Sequence, residues 1–277
     1  VCVTLLVRWA ARRWGVLDIP DNARKRHQRP VPLLGGLAVI VAFSVGVAVA
    51  WPELVGGYLL PKHLVGVLLG GGVIALGGFL DDRFHLSPQA QFFFPVLATL
   101  IIVVSGIGIS SISNQFGDTV QLDQWSWTLF EWNGLPYHVV LLADAFTVVW
   151  LLGMMYTTKF LDGLDGLVSG ITIIGGAVVF FLSMSDVVVQ PETAHLALLS
   201  SVAFLGILFF NWHPARIFLG ESGSLFAGYI LGVLAIISGA KIATTLLVVG
   251  IPIIDVVWVI ARRVFVDRRS PFVGDRT

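Results

Sequence analysis

Charge is scarce in this chain. Only 12% of its 277 residues are Asp, Glu, Lys or Arg, whereas 56% are hydrophobic and the mean hydropathy is +0.89. Soluble globular domains carry about 25% charged residues. The composition therefore excludes an ordinary soluble domain and predicts a polytopic, all-α integral membrane protein. The formal net charge of zero says nothing about partners, so the distribution of charge along the chain matters more.

Cysteine is also nearly absent. The single Cys2 excludes a disulfide framework and a cysteine metal site. No signal peptide with a small-residue cleavage site is visible. Because the sequence starts with Val and stops after "FVGDRT", we expect a fragment that lacks part of its first helix and a C-terminal tail.

Long apolar runs are abundant, and a bilayer core needs about 20 mostly apolar residues per helix. We predict about nine transmembrane helices, eight complete and one partial, at Val1–Trp9 (partial), Leu33–Trp51, Leu64–Leu80, Phe92–Ile109, Val139–Tyr156, Leu167–Leu182, Ala194–Phe210, Ser224–Ser238 and Ala243–Val264. The polar and aromatic segment between the fourth and fifth runs alternates with period 2 around Val120–Trp127, which predicts a small extracytoplasmic hairpin.

Basic residues segregate strongly when the spans are threaded back and forth through a bilayer. Fifteen of the 17 Lys and Arg residues lie in or beside the connections at 10–32, 81–91, 157–166, 211–223 and 262–277. The opposite connections contain only Lys62 and Lys241. Because cytoplasmic loops carry an excess of Lys and Arg, the first set is predicted to be cytoplasmic. The same loops hold nearly every unusual polar cluster.

The acidic clusters have ordinary explanations when each is taken alone. Asp81 and Asp82 could be a solvated helix end. Asp162 and Asp165, three apart in "DGLDG", would share one face of a helix and could mark a helix boundary. Glu221, between Gly220 and "SGS", could complement a helix dipole at an N-terminus. Asp255 lies inside the last apolar run, where an ionisable group is expensive and usually functional.

Taken together, these clusters indicate a site. Carboxylates gathered on one side of the membrane repel each other unless a cation lies among them, and Mg²⁺ is bound by one or two carboxylates plus substrate phosphates. Arginine and glycine-rich helix starts bind phosphate. The residues alone therefore suggest metal-assisted phosphoryl transfer at the cytoplasmic membrane surface.

Four ordered motifs carry a resemblance to a known family. They are "DIPDNARKRHQRPVPLLGG", "DDRFHLSP", "FLDGLDGLVSG" and "NWHPARIFLGESGS". Over essentially the whole chain, the sequence resembles the polyprenyl-phosphate N-acetylhexosamine-1-phosphate transferases of the glycosyltransferase 4 type. These include the WecA-like and TagO-like enzymes and are related to MraY. The family fold has about 10–11 helices, and residues 1–277 are expected to form a single transmembrane catalytic domain.

The resemblance implies a reaction. N-acetylhexosamine 1-phosphate would pass from a UDP-sugar, by preference UDP-GlcNAc, to undecaprenyl or another polyprenyl phosphate, and UMP would leave. This would be the first membrane step of cell-envelope polysaccharide synthesis, including lipopolysaccharide. The site would face the cytoplasm in a multi-pass protein of the plasma membrane, with Mg²⁺ or Mn²⁺ as cofactor. Homodimerisation is left open, and no nucleic acid is expected.

The resemblance also implies roles for residues. Asp81 would deprotonate the lipid phosphate, or act as nucleophile in a two-step version, and Asp82 would support it. The metal ligands would be Glu221, Asp82 and Asp162. Substrate would be bound by His27, Arg24, Lys25, Lys159, Asp162, Asp165, Asn211, Arg216 and Ser222.

The sequence departs from the family at several of these positions. Tyr156 and Lys159 stand where the family has two asparagines, and Gln91 stands where a lysine is common. Pro95 replaces a frequent glutamine, and Glu221 replaces the usual aspartate. We hypothesise that Lys159 makes the phosphate contact that Gln91 cannot make. The family's histidine-rich motif would follow Thr277.

Three alternatives to the leading function stay open. The first is phospho-N-acetylmuramoyl-pentapeptide transfer. The second is a degenerate, non-catalytic member that binds polyprenyl lipid. The third, an ion-coupled transporter, would carry its carboxylates near the membrane midplane, whereas the acids here lie at helix ends.

Overall fold

The computed structural model describes residues 1–20, 29–57, 59–109, 111–113, 119–121, 126–132, 135–186 and 188–238, and the single positions 250, 254 and 258. Some of the predicted features lie outside these residues and remain predictions. They concern Arg24, Lys25, His27, Asp255 and nearly all of the last span, Ala243–Val264.

The described part of the chain is mainly helical. Its helices are α1 (Cys2–Trp14), α2 (Gly35–Val49), α3 (Trp51–Leu54), α4 (Pro61–Phe84), α5 (Pro88–Ser105), α6 (Leu141–Leu161), α7 (Leu167–Ser183), α8 (Pro191–Asn211) and α9 (Gly220–Ile237). Its strands are β1 (Leu17–Asp18), β2 (Val31–Pro32), β3 (Ser111–Ser113), β4 (Thr119–Gln121), β5 (Ser126–Trp132) and β6 (Leu135–Val140).

Five of the helices are long and apolar enough to cross a membrane: α4, α5, α6, α8 and α9. Helices α2 and α7 are equally apolar but shorter, with 15 and 17 residues. A helix rises 1.5 Å per residue, so the 24 residues of α4 can cross a hydrocarbon core about 30 Å thick. The chain is thus a multi-pass membrane protein, and the total of about nine spans stays a prediction.

Local sequence signals place the ends of α4 and α5. Both helices begin with proline, whose missing N–H is no loss in the first turn. The Ser87 hydroxyl caps α5 by accepting a hydrogen bond from Ala90 N. Helix α4 ends because His85 turns into the left-handed region, with φ at 52°. The α4–α5 connection is therefore only three residues long, which keeps Asp81 and Asp82 close to the start of α5.

Helix α9 forms the centre of the bundle. Fifteen of its 18 residues are buried, as expected for a helix that is apolar all round. Its Tyr229 hydroxyl lies fully buried and donates a hydrogen bond to Val67 O of α4, at 3.0 Å. Phe226 contacts both Phe43 of α2 and Phe204 of α8. The middle of α9 is consequently fixed by packing on several sides.

The segment between α5 and α6 contains antiparallel strand pairs, in line with the predicted period-2 pattern. Strand β3 pairs with β4, so that Ile112 lies opposite Val120. Strand β5 pairs with β6, so that Trp127 lies opposite Val139. Its placement on the extracytoplasmic side stays a prediction.

Connections predicted to share one side of the membrane meet at one end of the bundle, which we call the site end. Phe218 N donates to Pro32 O (2.8 Å), and Gly36 N donates to Leu219 O (2.7 Å). Gly36 also has no room for a side chain, because a Cβ there would overlap the backbone of Gly223. The loop before α9 is thus bound directly to the start of α2.

Candidate active site

Asp81 lies in the last turn of α4 and is held by two donors. Its Oδ1 accepts hydrogen bonds from Leu86 N (2.9 Å) and Gln91 Nε2 (2.9 Å). The left-handed turn at His85 brings the first donor back over the helix end. Gln91 also donates to Leu86 O at 3.3 Å. The carboxylate of Asp81 is therefore oriented by the α4–α5 connection.

Asp82 joins α4 to the first turn of α9. Its Oδ1 accepts a hydrogen bond from Glu221 N at 3.1 Å, so it supplies the acceptor that a helix N-terminus needs. Gly220, with φ at 69°, permits this approach, because a Cβ there would overlap Asp82 and Leu33 O. The second oxygen, Oδ2, is buried and has no hydrogen-bond partner. A buried carboxylate oxygen without a partner is costly, so Oδ2 of Asp82 is a candidate position for binding a cation or a donor group of a ligand.

Lys159, near the end of α6, connects the remaining polar groups. Its Nζ forms an ion pair with Glu221 Oε1 and approaches Gln91 Oε1 at 3.4 Å. The ammonium also lies 5.6 Å from the centre of the Tyr156 ring. A continuous polar chain thus runs from Glu221 through Lys159 and Gln91 to Asp81. Every member of this chain is partly buried.

Asp162 follows α6 directly and lies near the same charges. Burial raises the pKa of its carboxyl to about 7, and the negative charges of Glu221 and Asp165 add to the effect. Desolvation and neighbouring carboxylates both favour the neutral form of an acid. The carboxyl of Asp162 is therefore poised between its two protonation states near neutral pH.

Asp165 serves a different neighbourhood. Its Oδ2 lies 2.9 Å from His213 Nδ1 and accepts a hydrogen bond from Ala215 N at 3.1 Å. The expectation that Asp162 and Asp165 share a helix face is wrong. Helix α6 ends at Leu161, and residues 162–166 form a turn that closes with Gly166 at φ 76°. Gly166 lets this turn end in the left-handed region before α7 begins.

Asn211, Ser222 and Arg216 lie around the loop before α9. Asn211 is buried, and its amide is committed to the protein. The oxygen accepts from Gly166 N (3.1 Å) and Ser169 Oγ (3.2 Å), and the nitrogen donates to Ile217 O (3.1 Å). Arg216 is exposed. The substrate-binding roles of these residues stay predictions.

Ser222 is buried on the first turn of α9, and its hydroxyl has no hydrogen-bond partner. It lies against Gly78 of α4, where a Cβ would overlap its backbone. This contact fixes the distance between the ends of α4 and α9.

Two residues of this region were missed as site members at the sequence level. Gln91 was noted only as a departure from the family pattern, yet it bridges Asp81 and Lys159. Its signal was a polar side chain one helical turn into the apolar α5. His213 contacts Asp165, and the "NWHP" stretch carried that signal.

The donor set suits a hard divalent cation. Asp82 offers a buried oxygen without a partner, and Glu221 and Asp162 add carboxylates within electrostatic reach of one another. Across the described residues, no three His, Cys, Asp or Glu side chains converge as they would around a protein-only metal site. Mg²⁺ usually binds through one or two carboxylates plus substrate phosphates, so this set is compatible with it.

Comparison with known proteins gives consistent results. Residues 64–239 match the model of a family described as glycosyl transferase family 4. A protein of Bacillus subtilis (strain 168), named a probable undecaprenyl-phosphate N-acetylglucosaminyl 1-phosphate transferase, is 30% identical over 95% of this chain and 68% of its own length.

Two further relatives have similar names. A decaprenyl-phosphate N-acetylglucosaminephosphotransferase of Mycolicibacterium smegmatis is 30% identical over 98% of this chain and 69% of its own length. An undecaprenyl-phosphate alpha-N-acetylglucosaminyl 1-phosphate transferase of Escherichia coli (strain K12) is 28% identical over 97% of this chain and 69% of its own length.

Proposed function

Because the chain belongs to glycosyl transferase family 4, we propose that it transfers N-acetylglucosamine 1-phosphate from UDP-GlcNAc to a polyprenyl phosphate. One observation carries this proposal beyond the relatives' names. Asp82 of α4 accepts a hydrogen bond from the backbone of Glu221 of α9, whose carboxylate pairs with Lys159 of α6, at one end of an apolar helix bundle. That is where a lipid phosphate and a water-soluble nucleotide can react with each other.

The reaction replaces one phosphoanhydride with another. An oxygen of the polyprenyl phosphate attacks the phosphorus that bears the sugar, a P–O bond forms, and the bond to the UMP oxygen breaks. Asp81 suits the role of base, since Oδ1 is held by two donors and Oδ2 is left to take the proton of the lipid phosphate. Such positioned proton transfer contributes about 10²–10⁴-fold to a rate.

A divalent cation completes the proposal. Asp82, Glu221 and Asp162 are the candidate ligands, of which one or two would hold Mg²⁺ together with substrate phosphates, and the ion would neutralise charge on the pyrophosphate. The support is the unpartnered Oδ2 of Asp82 and the carboxylates of Glu221 and Asp162 within electrostatic reach of it. The chain's own contribution is to keep these carboxylates oriented through backbone contacts between α4 and α9.

The cellular setting is part of the same proposal. The excess of Lys and Arg beside the site end supports a cytoplasmic site in the plasma membrane. The relatives' names support undecaprenyl or decaprenyl phosphate as acceptor. We place the reaction at the first membrane step of cell-envelope polysaccharide synthesis.

The test uses the full-length protein in detergent with Mg²⁺, undecaprenyl phosphate and UDP-GlcNAc. We expect release of UMP together with a GlcNAc-diphospho-lipid, and loss of both in Asp81→Asn. Turnover only with the UDP-muramoyl-pentapeptide would show that this nucleotide, and not UDP-GlcNAc, is the donor. Lipid binding without turnover of any UDP-sugar would instead support the non-catalytic alternative.

A further inference from the structure

Lys159 contacts one acidic part of the site directly and reaches the other through Gln91. It pairs with Glu221 of α9, and it approaches Gln91, which donates to Asp81 of α4. The Lys159 and Glu221 side chains are only 23% and 15% exposed. One ammonium group from α6 therefore links three other helices in a partly desolvated place.

The ammonium compensates a charge that the fold would otherwise leave unbalanced. Glu221 lies near the carboxylates of Asp81 and Asp162. Among the described residues, no other Lys or Arg forms an ion pair with Asp81, Asp82, Asp162 or Glu221. Breaking a buried ion pair from one side is costly, because it leaves an uncompensated charge. Lys159 thus has the electrostatic position that a bound cation would have.

We propose that Lys159 is a built-in counter-cation, which occupies Glu221 when no metal is bound and orients Asp81 through Gln91. A divalent cation then has to displace the ammonium before it can use the same carboxylate oxygen. This inference rests on the proposed function for its metal, and it assigns Lys159 a positioning role. It replaces the simpler hypothesis of a direct phosphate contact by Lys159.

The contact between Gln91 and Lys159 makes the inference specific. Because their side chains touch across α5 and α6, an ammonium supplied from position 91 reaches the same place. The double variant Gln91→Lys/Lys159→Gln exchanges the two side chains and keeps the total charge. A role in general stability alone does not predict that the exchange restores function.

Metal binding is measured first, without substrates. Full-length protein in detergent is titrated with Mn²⁺, and free Mn²⁺ is followed by electron paramagnetic resonance. Lys159→Gln removes the ammonium that competes with the metal for Glu221. We therefore expect this variant to bind Mn²⁺ about tenfold more tightly than wild type. The exchanged double variant should return to within about threefold of wild type. Lys62→Gln, at the opposite end of α4, is the matched control and should not change the affinity.

Steady-state kinetics distinguish a positioning role of Lys159 from a role in substrate binding. We expect Lys159→Gln to lower kcat about tenfold and to leave KM for UDP-GlcNAc within about twofold, with recovery in the exchanged variant. Lys159→Met is measured alongside, so that misfolding of one neutral variant leaves the test intact.

Three results would overturn the inference: unchanged or weaker Mn²⁺ binding in the folded neutral variants, no saturable Mn²⁺ binding in any protein, or a rise in KM alone. If the expected Mn²⁺ affinities are found but UDP-GlcNAc is not turned over, the proposed function fails and the counter-cation assignment stands.

Discussion

The two ends of the helix bundle use polar residues in different ways. At the end opposite the site, Asp144 accepts a hydrogen bond from Val140 N, four residues away, at the start of α6. At the site end, Asp82 binds Glu221 N across 139 positions of sequence, and Lys159 reaches Glu221 across 62. The Val140–Asp144 contact stays within one helix turn, whereas the contacts of Asp82 and Lys159 join α4 and α6 to α9 and gather charged side chains at the start of α9. Sequence separation thus distinguishes a local helix-end contact from the assembly of a site better than residue type does.

Neutralising one aspartate at each end gives the largest expected contrast. Asp81→Asn removes the proposed base and should lower kcat for UMP release about a thousandfold. Asp144→Asn keeps a side-chain oxygen that can accept from Val140 N and should stay within about twofold of wild type. Comparable losses in the two variants would abolish the distinction between the ends.

Glu221 at the site end and Glu192 at the opposite end allow the same comparison for a role in metal binding. Glu221→Gln should lower turnover about a hundredfold, and Glu221→Asp should keep more activity because it keeps a carboxylate. Glu192→Gln, at the start of α8, should have little effect. EDTA should remove the activity of wild type, and added Mg²⁺ should restore it. Full activity of Glu221→Gln would exclude Glu221 as a ligand.

Two glycines, Gly36 at the site end and Gly57 at the opposite end, allow the packing of the two ends to be compared. A methyl group on Gly36 would overlap the backbone of Gly223, whereas one on Gly57 would meet the carboxyl end of the Glu192 side chain. Backbone cannot move aside, but a flexible side chain can. Gly36→Ala should therefore destabilise by about 1–3 kcal/mol and Gly57→Ala by much less, as read from thermal unfolding in detergent. Equal melting temperatures would show that the site end tolerates rearrangement.

The pH dependence of the free energy of unfolding compares Asp162 at the site end with Glu192 at the opposite end. Folding raises the pKa of Asp162 to about 7, so the folded protein binds more protons than the unfolded chain between about pH 4 and 7. The free energy of unfolding of the metal-free protein should therefore fall as pH rises through this window, by up to about 4 kcal/mol. Asp162→Asn should flatten the dependence, and Glu192→Gln should retain it. An unchanged slope in Asp162→Asn would contradict the assignment.

The helices were largely predictable because their signals are local. Apolar runs with flanking proline and glycine located α4 and α5 to within a few residues. The gathering of Asp81, Asp82 and Glu221 at one end followed from threading the spans through the membrane. Both inferences depend only on hydropathy and on the alternation of sides.

The contacts inside the site were not predictable in the same way. The chain from Glu221 through Lys159 and Gln91 to Asp81 joins three segments distant in sequence, and rotamers and helix rotation decide it. The helical face expected to carry Asp162 and Asp165 is lost because α6 ends at Leu161, before either residue. A spacing of three residues carries no information on whether the helix continues.

The glycine contacts beneath Ser222 have a consequence for inhibition. Gly36 and Gly78 press backbone against the first turn of α9, and both glycines are buried together with Ser222. A compound bound at the site would therefore rest on carboxylates whose buried backbone support single substitutions cannot reshape without damaging the fold. Resistance to such a compound would have to arise at replaceable side chains such as Gln91, Tyr156 and Lys159.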